Sequence, residues 1–411
     1  MTELEAELEV GRPVHGGHCL ARHGGRVVFV RHAIPGERVR VRFTESSDRR
    51  RYWRADAVEV LRASADRVPS AWPEAGPGGV GGGELAHVGL PAQRRWKAEV
   101  VEDALARIGR IERAVQVVPA PGDDERGGLG WRTRVELTAD RAGRAGMYAY
   151  RSHELLPLTE LPLAAPAIRD LDLLGRTWPR GARIDAIAPS GDDRPLLLID
   201  GEPARGTRRT VREMVRVGRQ EYAYRVSGAG FWQVHAKGPS LLVESVLAAA
   251  EAQPGETVVE LYSGAGLLTR PLADAVGPGG RVESVESSTE AVRDARRNLH
   301  DSPQARLHTG DVARALASGL PVRADAVVLD PPRAGAGPAV MTALCDAAPG
   351  RIVYVACDPA ALARDLRTCE DRGYVLSGLQ ALDLFPHTHH VECVALLEPS
   401  SESVDGRAGR A

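Results

Sequence analysis

The chain has 411 residues, a formal net charge of −2, and 43% hydrophobic and 26% charged residues. That length accommodates two or three domains around a sizeable core, and the near-neutral balance excludes a polycation whose whole surface coats nucleic acid. No apolar run reaches membrane-spanning length, and the acidic start MTELEAELEV is unlike a signal peptide, so a cytoplasmic monomer with no membrane partner is expected. Five cysteines (Cys19, Cys345, Cys357, Cys369 and Cys393) are scattered without paired ligand spacing, which argues against a disulfide framework and a zinc ribbon.

In chain order, residues 9–61 alternate short β-prone runs with glycine turns, the pattern of a small antiparallel barrel spanning residues 1–62. Tyr52 and Trp53 lie among arginines there and suit either base stacking or the barrel core. Basic clusters at Arg49–Arg54, Arg94–Lys97 and Arg205–Arg219 suit phosphate contacts or a solvated face. A loop over residues 64–83, rich in proline and glycine, has too few apolar residues to pack. A helix follows over Gln93–Gly109, with Trp96, Val100, Val101, Leu105 and Ile108 at core spacing. Short β-prone runs then fill a central domain, residues 63–230 in all, to which pattern alone assigns no chemistry.

Residues 231–399 read as a doubly wound α/β domain: TVVELYSGAGLLTRPLADAV, RVESVE, ARLHTGDV, DAVVLD and RIVYVAC supply strands with helices between them. Residues 400–411 read as a disordered tail. The turn Gly264-Ala265-Gly266 lacks the third glycine of a dinucleotide fingerprint, Thr269 standing in its place. Acidic residues close the early strands instead: Glu260, Glu286, Asp311 and Asp330. Glu286 is placed to accept ribose hydroxyls, and a series of carboxylates suits a sulfonium nucleoside, S-adenosylmethionine, better than NAD. Asp330 runs into the stiff turn Pro331-Pro332-Arg333.

The run RIVYVAC delivers Cys357 to the carboxyl end of a strand, where Asp358 caps a helix beginning at Pro359. Helix-start amides favour a thiolate there; the plainer alternative is a cysteine used as a small core residue. Glu392, in the last β-prone run, follows a proline and several histidines.

These motifs together resemble the RNA 5-methyluridine methyltransferase family of tRNA and 23S rRNA enzymes. The resemblance rests on FWQVH, ELYSGAG, DPPRAGAG, VACDPAALARD and FPHTHHVE, and on a first domain similar to the OB-like TRAM module. It implies a Rossmann-like, S-adenosylmethionine-dependent α/β domain, an RNA partner, Cys357 as nucleophile and Glu392 as general base. It also implies a cofactor site of Gln233, Tyr262, Gly264, Gly266, Glu286, Asp311 and Asp330. A thiolate adding at carbon 6 of uracil makes carbon 5 nucleophilic toward a methyl group, and a base then removes the carbon 5 hydrogen. The target uridine must leave its stack, so a loop or splayed base is expected, in 23S rRNA before tRNA.

Three positions depart from the family. Many TRAM-bearing members hold an iron–sulfur cluster on four cysteines, whereas Trp72, Val80, Gly83 and Leu161 stand at those places here; no cluster is expected, and a looser loop. Leu267 replaces a polar cofactor contact and His235 an asparagine. Two other readings compete. One is an amino-group methyltransferase built on the Asp-Pro-Pro turn, and the other a non-catalytic RNA-binding or folding factor.

Overall fold

The computed structural model describes residues 5–47, 49–320 and 324–400, so most of the expected tail lies outside the described residues. Its last described part is ordered, with Pro399 ending a strand and the Ser400 amide donating to the Gly373 carbonyl.

Strands between Glu5 and Arg62 form a six-stranded sheet, antiparallel as expected except that Arg26–Arg31 and Tyr52–Arg62 pair in parallel. In Arg38–Glu45 the period of two is explicit: Val39 and Val41 are fully buried while the intervening arginines face out. Those arginines meet the acidic strand Glu5–Glu9, with Arg38 on Glu7 at 2.7 Å and Arg42 on Glu5 at 3.4 Å. The acidic start is therefore the electrostatic partner of a barrel strand.

The loop over residues 64–83 packs, contrary to expectation. Trp72, Ala75 and Val80 join Leu161, Trp131 and Ile168 in one buried apolar cluster. A single tryptophan supplies the area that the loop's composition lacks, and it needs glycine at position 83, where an added Cβ would sit 3.0 Å from the indole and 2.6 Å from Ala75. Arg67 fastens the loop to the barrel through a two-pronged bond to the fully buried Glu37, both contacts at 2.6 Å.

The next helix, Leu90–Ala104, is buried on two sides: Trp96 and Val100 belong to the barrel's core, Val101 and Ala104 to that of the C-terminal sheet. One looser turn extends it to Gly109, and Arg110, not the glycine, takes the left-handed conformation that ends it. Gly109 is instead a point of close approach, its missing Cβ 3.3 Å from the Ala363 carbonyl. The helix's basic residues face protein partners: Arg94 pairs with Asp124, Arg95 with Asp66 and Lys97 with Asp383.

Strands between Arg134 and Pro203 form a six-stranded antiparallel sheet, followed by the hairpin Thr210–Val217 and Gln220–Ser227. The C-terminal sheet has eight strands. Five are parallel, in the order Ala305–Thr309, Arg281–Glu286, Thr257–Leu261, Ala326–Leu329, Arg351–Ala356. Glu392–Pro399 then runs antiparallel between Arg351–Ala356 and Tyr374–Asp383, and Val117–Pro119 adds the far edge. Chain order reverses between Thr257–Leu261 and Ala326–Leu329, the switch point where open α/β sheets leave a ligand crevice. Among the described residues no helix is long and apolar enough to cross a membrane.

Lys97 and Asp383 form a buried ion pair at 2.6 Å, and Lys97 also donates to the Phe385 carbonyl at 2.9 Å. Removing one partner leaves a buried charge alone, so Lys97→Met should cost about 3–5 kcal/mol in urea unfolding. Lys97→Met with Asp383→Leu should recover most of that loss; a double variant as unstable as the single one would contradict this account.

Candidate active site

Glu286 ends its parallel strand, and Tyr262, Asp311 and Asp330 lie just beyond the carboxyl ends of neighbouring ones. Both Glu286 oxygens are engaged, one accepting from the Gly264 amide at 2.9 Å and the other from Ser288 at 2.6 Å, so the carboxylate closes the glycine turn. Gly264 and Gly266 take φ of 56° and 89°, and a Cβ on Gly264 would meet nothing within 4 Å, leaving open space beside the carboxylate. Tyr262 adopts φ 63°, unusual for a bulky residue and a mark of local strain at the crevice. Asp311 caps the helix Val312–Ala317 and, after burial, is the main influence raising the Tyr262 hydroxyl to about 12. Asp330, held by its amide to the Leu261 carbonyl at 3.3 Å, is pushed up by desolvation to about 7. Carboxylates at neighbouring strand ends, open space at a glycine and a strained tyrosine fit a cationic nucleoside.

Glu260 does not belong to this edge. It is buried on the sheet's face, accepting from Thr269 and from Ser284 at 3.0 Å, and burial lifts its carboxyl to about 8. A side chain two positions before a strand's exit follows the sheet's alternation into the packed layer. Thr269, in place of a third glycine, is its partner. Gln233 is buried just before the helix Gly238–Ala250. His235 is structural: it stacks on Trp131 at 5.6 Å, accepts from the Lys237 amide and bonds Asp123 at 3.0 Å. The Leu267 side chain packs on the core, and its carbonyl accepts from Tyr224.

Cys357 follows the strand Arg351–Ala356, and Asp358 caps the helix Pro359–Glu370 through the Ala361 amide at 2.8 Å. The register Ala356↔Cys393 puts Cys357 and Glu392 at the next positions of adjacent strands. Cys357 is partly exposed, whereas the other four cysteines are buried. Its thiol is not tuned as expected. Burial, then Glu392, with Asp330 and Asp358 beyond it, push the thiol up to about 11, against Arg333. These neighbouring carboxylates and the burial outweigh the helix start. The fully buried Glu392 carboxyl is also held well above its ordinary range, by burial and by Asp330, and again Arg333 opposes.

The contacts holding this arrangement were not legible in the sequence, although Arg333, Asp365 and the histidines before Glu392 lie inside the quoted motifs. Arg333 contacts His390 at 3.3 Å. Asp365, deep in the Cys357 helix, accepts from Tyr354 at 2.6 Å and from the Ala336 and Gly337 amides, locking the turn after Asp330 to that helix. Gln93 fixes the loop before Glu392: its oxygen accepts from the His387 amide at 2.7 Å, and its nitrogen donates to the Val88 carbonyl at 2.8 Å. Glu84 meets His389 at 3.3 Å; burial alone would raise its carboxyl, but His389 and the Gly82 amide bring it down to about 2. From the barrel, His15 reaches Asp358 at 3.4 Å. Among the described residues, no group of histidine, cysteine and acidic side chains is arranged to hold a metal.

A thiol at about 11 is a small fraction thiolate at neutral pH, and that fraction grows tenfold per pH unit. Alkylation of Cys357 by iodoacetamide, followed by peptide mass spectrometry, should therefore climb without a plateau between pH 7 and about 10. Arg333→Ala should slow it further. A plateau by pH 8 would contradict this electrostatic balance.

A family model described as tRNA (Uracil-5-)-methyltransferase matches residues 321–400, the segment carrying Cys357 and Glu392. A second, described as protein-L-isoaspartate(D-aspartate) O-methyltransferase, matches residues 219–321 and so spans the crevice-forming half of the sheet. An uncharacterized RNA methyltransferase of Streptomyces avermitilis is 42% identical over 97% of this chain and 99% of its own length. One from Bifidobacterium longum is 40% identical over 96% of this chain and 97% of its own. The crystal structure of Pyrococcus abyssi tRNA (uracil-54, C5)-methyltransferase with S-adenosyl-L-homocysteine matches with a TM-score of 0.70. It covers 95% of this chain and 99% of that one, and at 23% identity it speaks to the fold. With relatives this similar along their whole length, and the fold and the segment of Cys357 and Glu392 both matched, the chain belongs to the S-adenosylmethionine-dependent RNA 5-methyluridine methyltransferase family.

Proposed function

We propose that this protein methylates carbon 5 of a uridine in RNA, 23S rRNA before tRNA, with Cys357 as nucleophile and Glu392 as general base. The observation that carries the reading is the cross-strand register: Ala356 pairs with Cys393, so a partly exposed thiol and a buried carboxyl lie one position further on, side by side. Neither an amino-group methyltransferase nor a passive RNA-binding factor needs that pair. The preference for rRNA rests on the likeness of the first domain to the TRAM module alone; the matched family description and the archaeal structure, which covers 95% of this chain, name tRNA.

The uridine leaves its stack and its carbon 6 meets Cys357. The sulfur bonds to carbon 6, and the ring takes up the electron pair as an enolate. The thiol's proton has to leave as that bond forms, and the carboxylate of Asp330, near enough to bear on the Cys357 thiol, takes it. S-adenosylmethionine, held by Tyr262, Glu286, Asp311, Asp330 and Gln233 beside Gly264 and Gly266, supplies the methyl group when bound. Glu392 then removes the carbon 5 hydrogen as a proton; the carbon 6 to sulfur bond breaks, and its electron pair returns to Cys357. Burial and Asp330 raise the Glu392 carboxyl, and Arg333 opposes them, favouring the ionised form this step requires.

In a strain lacking the gene, nucleoside mass spectrometry should find 5-methyluridine missing from one position of 23S rRNA. Wild-type protein should restore it, and Cys357→Ala should leave it undetectable. An unchanged 5-methyluridine inventory would refute the activity; restoration by Cys357→Ala would refute the covalent route; loss from tRNA alone would move the target.

A further inference from the structure

A cavity of about 290 Å³ opens where the barrel, the loop over residues 64–83 and the central sheet meet. We propose that it receives a second unpaired base of the substrate RNA, distinct from the methylated uridine; this rests on the RNA reading above.

The lining is built for a flat, polar, uncharged group. Arg31 lies 3.7 Å above the Tyr150 ring and is itself held flat by Asp56, with two contacts at 2.9 Å. The stack of guanidinium and phenol is a planar platform of the kind on whose faces bases pack. Arg54 and Arg151 stand at the same cavity, but Glu45 meets both, at 2.7 and 4.0 Å. With Asp56 and Glu154 also in the lining, carboxylates offset guanidiniums, so the cavity is no anion hole and a bare phosphate is a poor occupant.

His18 supplies an independent sign. It lines the cavity, is only 7% exposed, and its Nε2 has no hydrogen-bond partner. Burial, reinforced by Arg31 and Arg54, lowers its pKa to about 4, so the ring is neutral, and its other nitrogen is engaged with the His15 backbone. Nε2 is then a buried acceptor awaiting a donor, which a base amino or imino group provides.

The loop and the active site both bear on this cavity. The Tyr150 amide donates to the Gly79 carbonyl at 3.0 Å, and Val80 bridges to Ala149, so the loop packed around Trp72 sets the Tyr150 wall. The turn from His15 to His18 has its first residue on Asp358, beside Cys357, and its last in the cavity. A single RNA loop can therefore engage both places.

Full-length protein carrying Tyr150→benzoylphenylalanine, mixed with total RNA from the deletion strain and irradiated, should crosslink to one nucleotide of the RNA it methylates. Reverse-transcription stops should map that nucleotide away from the 5-methyluridine. Crosslinking to the target uridine alone, or to no RNA, would overturn the proposal. His18→Phe and Tyr150→Leu should each raise KM for that RNA about tenfold with a smaller change in kcat, and His18→Asn, which retains an acceptor, should recover much of the loss. Unchanged KM in both folded variants would also overturn it. Crosslinking by the benzoylphenylalanine variant, with wild-type protein that does not methylate the same RNA, would refute the proposed activity while sustaining the cavity's role.

Discussion

The insertion of one antiparallel strand into a parallel sheet is the constraint on which this molecule depends. Glu392–Pro399 enters between Arg351–Ala356 and Tyr374–Asp383, running opposite to both. Because it runs backward, its first residue lies beside the last residues of the cysteine strand. A parallel strand at the same position would put Glu392 at the opposite edge of the sheet. A slip of one residue would turn the carboxyl to the other face. The register is secured by apolar pairing along the strands and by the loop before Glu392, which Gln93, Lys97 and Glu84 grip from the N-terminal side.

That grip joins the domains. The helix Leu90–Ala104 has one face in the barrel and the other on the C-terminal sheet, and its polar residues fix the loop that delivers Glu392. His15 extends the connection from the barrel to Asp358. The barrel and the strand end that carries Cys357 are thus mechanically continuous. The price of crowding Asp330, Glu392 and Cys357 together is electrostatic: desolvation raises all three, and Arg333, on the stiff proline turn, is the charge set against them.

Much of this was legible in the sequence because it depends on local pattern. Buried strand runs, the cap at Asp358 and the glycine turn declare themselves within a few residues, and so did Cys357, Glu286 and Asp330 at strand ends. The rest was not legible because it depends on contacts far apart in the chain. Nothing near Asp365 reveals that it ties down Ala336, or near Gln93 that it holds His387. The thiol's tuning was misread for the same reason: the helix start is local, whereas Glu392 and Asp330 arrive by tertiary folding. The loop around Trp72 shows composition failing where one large side chain and one glycine complete a core.

The central claim is that Glu392 completes a reaction that Cys357 begins. Replacing Glu392 by glutamine removes the proposed base while leaving the Cys357 thiol in place. Incubated with S-adenosylmethionine and substrate RNA, Glu392→Gln should accumulate a denaturation-resistant protein–RNA adduct through Cys357, detectable as a shifted band in a denaturing gel. A variant that turns over normally, or that forms no adduct while remaining folded and binding RNA, would contradict the account.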